Sequence, residues 1–382
     1  MTPSEKYVAE LCEKSFLPFW SFPNPIGKKN KELCDVFVVC ENTIIIISVK
    51  DITVSENSDE SINYERWVKK AIHNSVDQIY GAERFLKSAD EILLKDRKTR
   101  IKLPSKESRI IHRIAIAFGS KDEYPLPTGN FGYGYVSVFD EKSTSIILSE
   151  LDTITDFTKY LIAKEEFVKD KTVLIQREVD FLAFYLQTGL ELENVPDVIG
   201  CEENLWEIYA ETEEYAKWKD DILGSYIWDF MIWDLYNVHI INKASVQPRY
   251  EIEESIRLIN LESRINRIVL GEMLEDALKS DIRARILRPL ENSNHSYVFM
   301  PFNIDELELM KSELILRCDV ARFENPTAEK VVGIALGNDK KGNIVFELCY
   351  VHIPEIDDDF IKHVETIKKE LGYFTKIRMS DE

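Results

Sequence analysis

An α/β fold, with a mixed sheet flanked by helices and then a mainly helical region carrying a small sheet, is predicted by three features of the chain. Val36 to Cys40 and Thr43 to Val49 are rich in β-branched residues and are divided by Glu41-Asn42, the pattern of a β-hairpin. The run Ile44-Ile45-Ile46-Ile47 shows no polar alternation, as expected of a central strand covered on both faces. Apolar residues at helical spacing then follow (Val68, Ile72, Val76, Ile79 and Leu86), and after them a second apolar run, Arg109 to Gly119.

The elements follow in order. The hairpin gives way to a helix over residues 63–88, a basic loop, and the buried strand over 109–119. Pro and Gly punctuate 125–134, Tyr135 to Phe139 reads as another strand, and Leu151 to Ala163 as a helix, with a domain boundary near 165. Residues 172–187 mix both patterns. Glu203 to Asn237 is helical and aromatic-rich, with Trp206, Trp218, Trp228 and Trp233 as core or interface residues. Residues 255–281 and Ile304 to Phe323 read as amphipathic helices. Tyr297 to Phe302, Lys330 to Leu336 and Ile344 to Ile353 read as a small sheet, closed by a helix over Asp358 to Leu371. The segment 166–382 is thus an acidic α+β region, helical over 166–290 and α/β over 291–382.

On a strand, alternate side chains share a face, so Ser48 and Lys50 lie ~6.6 Å apart on one side of the second hairpin strand. An ammonium buried there needs an anion opposite it, and Asp35 is the candidate.

With Asp35 opening one strand and Ser48-Val49-Lys50 ending the next, the chain resembles the PD-(D/E)xK nuclease superfamily over roughly residues 1 to 120. The resemblance implies a restriction-endonuclease-like core running helix, three strands, helix, strand. It also implies a Mg²⁺- or Mn²⁺-dependent phosphodiester hydrolase. By the family pattern Asp35 is the first metal-binding acid and Lys50 the catalytic lysine. Glu5 is the acid of the first helix, in competition with Glu10 and Glu13, and shares a helical face with Val8, Cys12 and Phe16. Gln78 is the glutamine of the later helix, and the Val49 carbonyl is a further metal ligand. The chain departs from the pattern at Ser48, where the family carries a second acid; a hydroxyl is a poor ligand for a hard dication. Either the site is inactive or the acid has moved, to Glu65, Glu60 or Glu32.

Composition bounds the rest. With 45% hydrophobic and 30% charged residues the chain reads as globular, and no window approaches the ~18 apolar residues of a membrane span. A cytoplasmic protein is expected. The six cysteines, Cys12, Cys34, Cys40, Cys201, Cys318 and Cys349, have no metal-ligand spacing. The net charge of −20 is uneven: residues 1–165 hold 23 basic and 25 acidic residues, the remainder 25 and 43. Lys28, Lys29 and Lys31 precede the hairpin. Between 95 and 113, Lys95, Arg97, Lys98, Arg100, Lys102, Lys106, Arg109 and Arg113 face only two acids, a patch suited to a phosphate backbone. The expected function is a DNA endonuclease of defence or repair type, with RNA as the other substrate class. The alternative is an inactive nuclease-fold adaptor or regulator that binds a protein or nucleic acid, the acidic half serving a protein partner or a homodimer.

Overall fold

Helix α1 (Pro3–Phe16) opens the chain on a capping box: Thr2 accepts from the Glu5 amide while the Glu5 carboxylate accepts from the Thr2 amide at 2.8 Å. Three antiparallel strands follow: β1 (Ser21–Pro23), β2 (Val36–Cys40) and β3 (Thr43–Asp51). At the β2–β3 turn the left-handed residue is Glu41, at φ 51°. The computed structural model describes all residues except 54–58, 121–123, 176, 193–194, 201–202, 243–248, 280–281, 291–292, 303–306, 339–340 and 376–382. Cys201 therefore lies outside the described residues, and so do the first three positions of the helix expected from Ile304.

The expected 63–88 helix is two α-helices, α2 (Glu60–Trp67) and α3 (Asn74–Leu86), joined through a π-helical turn at Val68–His73. In an unbroken α-helix Gln78, eleven residues after Trp67, would project within about 20° of it. The residue added by the π turn puts Ile79 in that buried line instead and leaves Gln78 at its border.

The segment expected as a basic loop contains a small hairpin, β4 (Glu91–Leu93) with β5 (Arg100–Lys102), its tip tied by Asp96 to the Lys98 and Thr99 amides. Strand β6 (Ile110–Phe118) runs parallel to β3, and β8 (Tyr135–Phe139) parallel to β6, with β7 (Gly129–Asn130) on the edge. The mixed six-stranded sheet has the order β1-β2-β3-β6-β8-β7. The isoleucine run is thus central, and Ile44 to Ile47 are buried. Helices α2 and α3 and the π turn between them cover one face through Trp67, Ala71, Val76 and Ile79; α1 and α4 (Glu141–Glu150) pack on the sheet as well.

The chain divides into two compact units, Met1–Asp220 and Asp221–Glu382. The expected boundary near 165 falls inside α5 (Ile154–Asp170), which is joined to α6 (Glu178–Gln187) through the buried Lys164–Glu178 pair. A short parallel pair, β9 (Thr172–Leu174) with β10 (Val198–Gly200), and helices α7 (Leu205–Ala210) and α8 (Glu213–Asp221) follow. Residues 166–220 hold 14 acidic and 5 basic residues. Much of the acidity expected of a separate half therefore belongs to the unit that carries the hairpin.

In the second unit helix α9 (Tyr226–Leu235) comes first. The helix expected over 255–281 is two, α10 (Arg249–Asn260) and α11 (Arg264–Lys279), broken where Ser263 accepts from the Asn266 amide. Strands β11 (Arg285–Leu287), β12 (His295–Pro301), β13 (Lys330–Asn338) and β14 (Ile344–His352) form a four-stranded mixed sheet. Helix α12 (Leu307–Glu324) packs on it and α13 (Asp358–Leu371) packs on α12. Among the described residues no helix is long and apolar enough to cross a membrane.

His112 of β6 is buried with Nε2 unpartnered among the described residues, and burial pushes its pKa down to about 4. The folded state keeps this imidazole neutral, whereas the unfolded chain protonates it below about 6.5. Its contribution is therefore complete above pH 6.5 and is lost as pH falls toward 4, by roughly 3 kcal/mol. Urea denaturation across this range should show that loss in the wild type, and a flatter profile for His112→Phe; parallel profiles would contradict it.

Candidate active site at the end of the hairpin

The hairpin register fixes the site. Pairing of Pro23 with Val36, continued by one step, sets Asn24 opposite Asp35, while Ser48 lies one residue beyond the last β2–β3 pair, Val36 with Ile47. Asn24 N–H donates to Asp35 O at 2.9 Å, and Asp35 N–H donates to Ile47 O at 3.1 Å, so that Asp35 and Val36 together oppose Ile47 as in a β-bulge. Ser48 and Lys50, alternate residues of β3, both face α3 through Gln78.

Asp35 is 2% exposed. Its Oδ2 accepts from the Val49 amide at 2.6 Å and lies 3.5 Å from Lys50 Nζ. The first bond satisfies a donor that β2, ending one residue short, leaves unpaired. Lys50, with its side chain 28% exposed, also donates to the Val49 carbonyl at 3.3 Å and to Gln78 Oε1 at 2.9 Å. Ser48 Oγ donates to the same Gln78 oxygen at 2.9 Å. An ammonium only donates, so the amide oxygen must be the atom facing it, and Gln78 Nε2 is left as a donor. The structure thus brings together Asp35, Ser48, Val49, Lys50 and Gln78.

The other candidates are placed elsewhere or tied up. Glu5 is committed to the α1 capping box and lies 3.7 Å from the amino terminus. Glu65 and Glu60 are on exposed positions of α2. Glu65 lines a groove of about 460 Å³ with Tyr64, Val68, Lys69 and His73, and Glu60 meets the Tyr124 hydroxyl at 3.4 Å. Glu32 is the acid beside Asp35. Burial first, and then the Asp35 carboxylate, hold its carboxyl above the ordinary glutamate range. Asn24, which sequence reasoning missed, faces Glu32 from the same loop. Its signal was the Asn-Pro step before the lysine run, visible only as a turn.

The basic segments meet through Ile26, which bridges to both Glu32 and Leu93; its amide donates to Leu93 O at 2.7 Å. The turn bearing Lys28, Lys29 and Lys31 therefore sits against the β4–β5 hairpin that carries Lys98, Arg100 and Lys102. All six are exposed, and Arg100 pairs with Glu91. Two arginines counted in the same run are spent internally. Arg109 donates to the Pro104, Leu86 and Ala89 carbonyls, and Arg113 forms a bidentate pair with Glu83 at 2.7 and 2.8 Å.

Among the described residues no three His, Cys, Asp or Glu side chains gather closely enough to hold a metal by themselves. The Asp35 carboxylate and the Val49 carbonyl would offer oxygen ligands, the chemistry that Mg²⁺ and Mn²⁺ select. No family model matches this chain, and neither does a curated protein or a solved structure.

Proposed function

We propose that the first unit is a restriction-endonuclease-like nuclease that hydrolyses phosphodiester bonds with Mg²⁺ or Mn²⁺, acting on DNA as an endonuclease. The observation that carries this reading is the interlocked Asp35, Lys50 and Gln78 at the end of a buried hairpin. The order helix, three strands, the α2–α3 helical segment and strand β6, interrupted only by the β4–β5 hairpin, supports it. So does the basic turn beside the β4–β5 hairpin, joined to the acidic loop through Ile26.

Asp35 and the Val49 carbonyl would hold the cation, whose part is to polarise a phosphate oxygen and lower the pKa of the attacking water. The protein's own contribution is positional. Lys50, held by Gln78 and the Val49 carbonyl, directs its ammonium toward charge developing on the phosphoryl oxygens, and the low-dielectric setting strengthens that interaction. Gln78, pinned by Ser48, has Nε2 to donate to a phosphate oxygen. The exposed lysines of the two loops hold the strand backbone without reading its sequence.

The test is purified full-length protein with supercoiled and linear DNA in Mg²⁺ or Mn²⁺. Nicking or cutting that stops with EDTA is the expected outcome. A protein inert in both metals on DNA and on RNA would overturn the reading, and would favour the inactive adaptor that Ser48 in the acid's position suggests.

A further inference from the structure

We propose that Ser48 is a positioning residue. By donating to Gln78 Oε1 it fixes which way the Gln78 amide faces, so residue 48 is the working partner of Gln78 and not the gap left by a lost acid. The inference rests on the nuclease reading and adds how that site is kept in order.

Three observations carry it. Ser48 is fully buried, and its Oγ donates to Gln78 Oε1 at 2.9 Å; a buried hydroxyl is costly without such a partner. Second, the same oxygen accepts from Lys50 Nζ at 2.9 Å. An amide oxygen has two lone pairs, and here two donors from alternate positions of β3 occupy them. Turning the amide over would set its NH₂ against an ammonium, so Nε2 is kept on the other side, free to meet a phosphate oxygen. Third, the π turn at Val68–His73 leaves Gln78 at the border of the buried helical line, where one amide reaches both the buried Ser48 and the Lys50 side chain, which is 28% exposed.

A carboxylate at position 48 would undo this arrangement. It offers acceptors only, so the Gln78 amide would turn its NH₂ inward and present Oε1 to the phosphate, acceptor against acceptor. It would also compete for Lys50 Nζ with Asp35 Oδ2, 3.5 Å away. Serine at 48 and glutamine at 78 are therefore matched.

The test is a double-mutant cycle on Mn²⁺-dependent plasmid nicking by the full chain, with Ser48→Ala, Gln78→Ala and both together. Ser48→Ala is expected to lower kcat about 5- to 10-fold at unchanged KM, the scale of one neutral hydrogen bond. In the Gln78→Ala background it should cost almost nothing more, because its effect passes through that amide; a residue that only fills space would cost the same in both. Ser48→Asp, the restored acid, should fall below the wild type. Metal-free protein carrying isotope-labelled glutamine gives a readout apart from activity. The side-chain NH₂ resonance that disappears in Gln78→Ala should shift in Ser48→Ala. Circular dichroism melts check that each variant is folded. The proposal is overturned if Ser48→Ala nicks as fast as the wild type, or loses equally in both backgrounds. It is also overturned if Ser48→Asp exceeds the wild type, which would make residue 48 the place of a missing metal-binding acid. A wild type inert in both metals would overturn the nuclease reading instead. The Gln78 resonance would then judge the Ser48 link alone, and its staying in place in Ser48→Ala would overturn that link.

Discussion

Lys50→Met is expected to lower metal-dependent cleavage about 100- to 1,000-fold, the effect of deleting one preorganised donor aimed at transition-state charge. The methionine keeps the length and apolar stem of the side chain but removes the ammonium that meets Gln78 Oε1 at 2.9 Å and Asp35 Oδ2 at 3.5 Å. Folding should survive, because the Val49 N–H to Asp35 and Ser48 Oγ to Gln78 bonds remain. Initial rates of plasmid nicking in Mn²⁺, beside circular dichroism melts, measure the effect. A variant within threefold of wild-type rate would remove Lys50 from the chemistry.

The largest effect on stability is expected at Lys164. Its Nζ pairs with Glu178, the two side chains being 3% and 5% exposed, and Tyr160 donates to the same carboxylate at 2.5 Å. The ammonium also lies 5.9 and 5.6 Å from the Phe139 and Phe181 ring centres. Burial, reinforced by Glu178, keeps the Tyr160 hydroxyl protonated well above the usual tyrosine range. Removing one partner of a buried pair strands the other charge, at about 3–5 kcal/mol. Lys164→Met should therefore lower unfolding stability by that amount in urea denaturation. Lys164→Met with Glu178→Leu should recover much of it, since only the tyrosine hydroxyl is then unsatisfied. A loss under about 1 kcal/mol in the single variant would mean that the pair is not buried and charged as described.

Particular residues show how far the sequence could be read. The hairpin, the central position of Ile44 to Ile47 and the convergence of Asp35 with Lys50 were legible because strand alternation and turn length translate spacing directly into geometry. The strand over Ile110–Phe118 was legible for the same reason. The break at Val68–His73 was not, since a π turn leaves the apolar spacing close to helical and shifts only what each residue faces. Glu5 shows a different limit. Thr2-Pro3-Ser4-Glu5 has the spacing of a capping box, so the claim of the Thr2 amide on its carboxylate was there to be read, but the family pattern drew the residue to the site instead.

By itself the sequence determined the α/β class, the buried hairpin and the pairing of residue 35 with residue 50, all consequences of local periodicity and short loops. Only the tertiary structure decided which charges remain available. It spent Arg109 and Arg113 on internal partners, joined two basic segments through Ile26, set Asn24 and Glu32 beside Asp35, and moved the division of the chain to residue 220. Those outcomes depend on contacts between residues far apart in the chain, where closure of the fold and the cost of unpaired buried groups, rather than local propensity, select the neighbours.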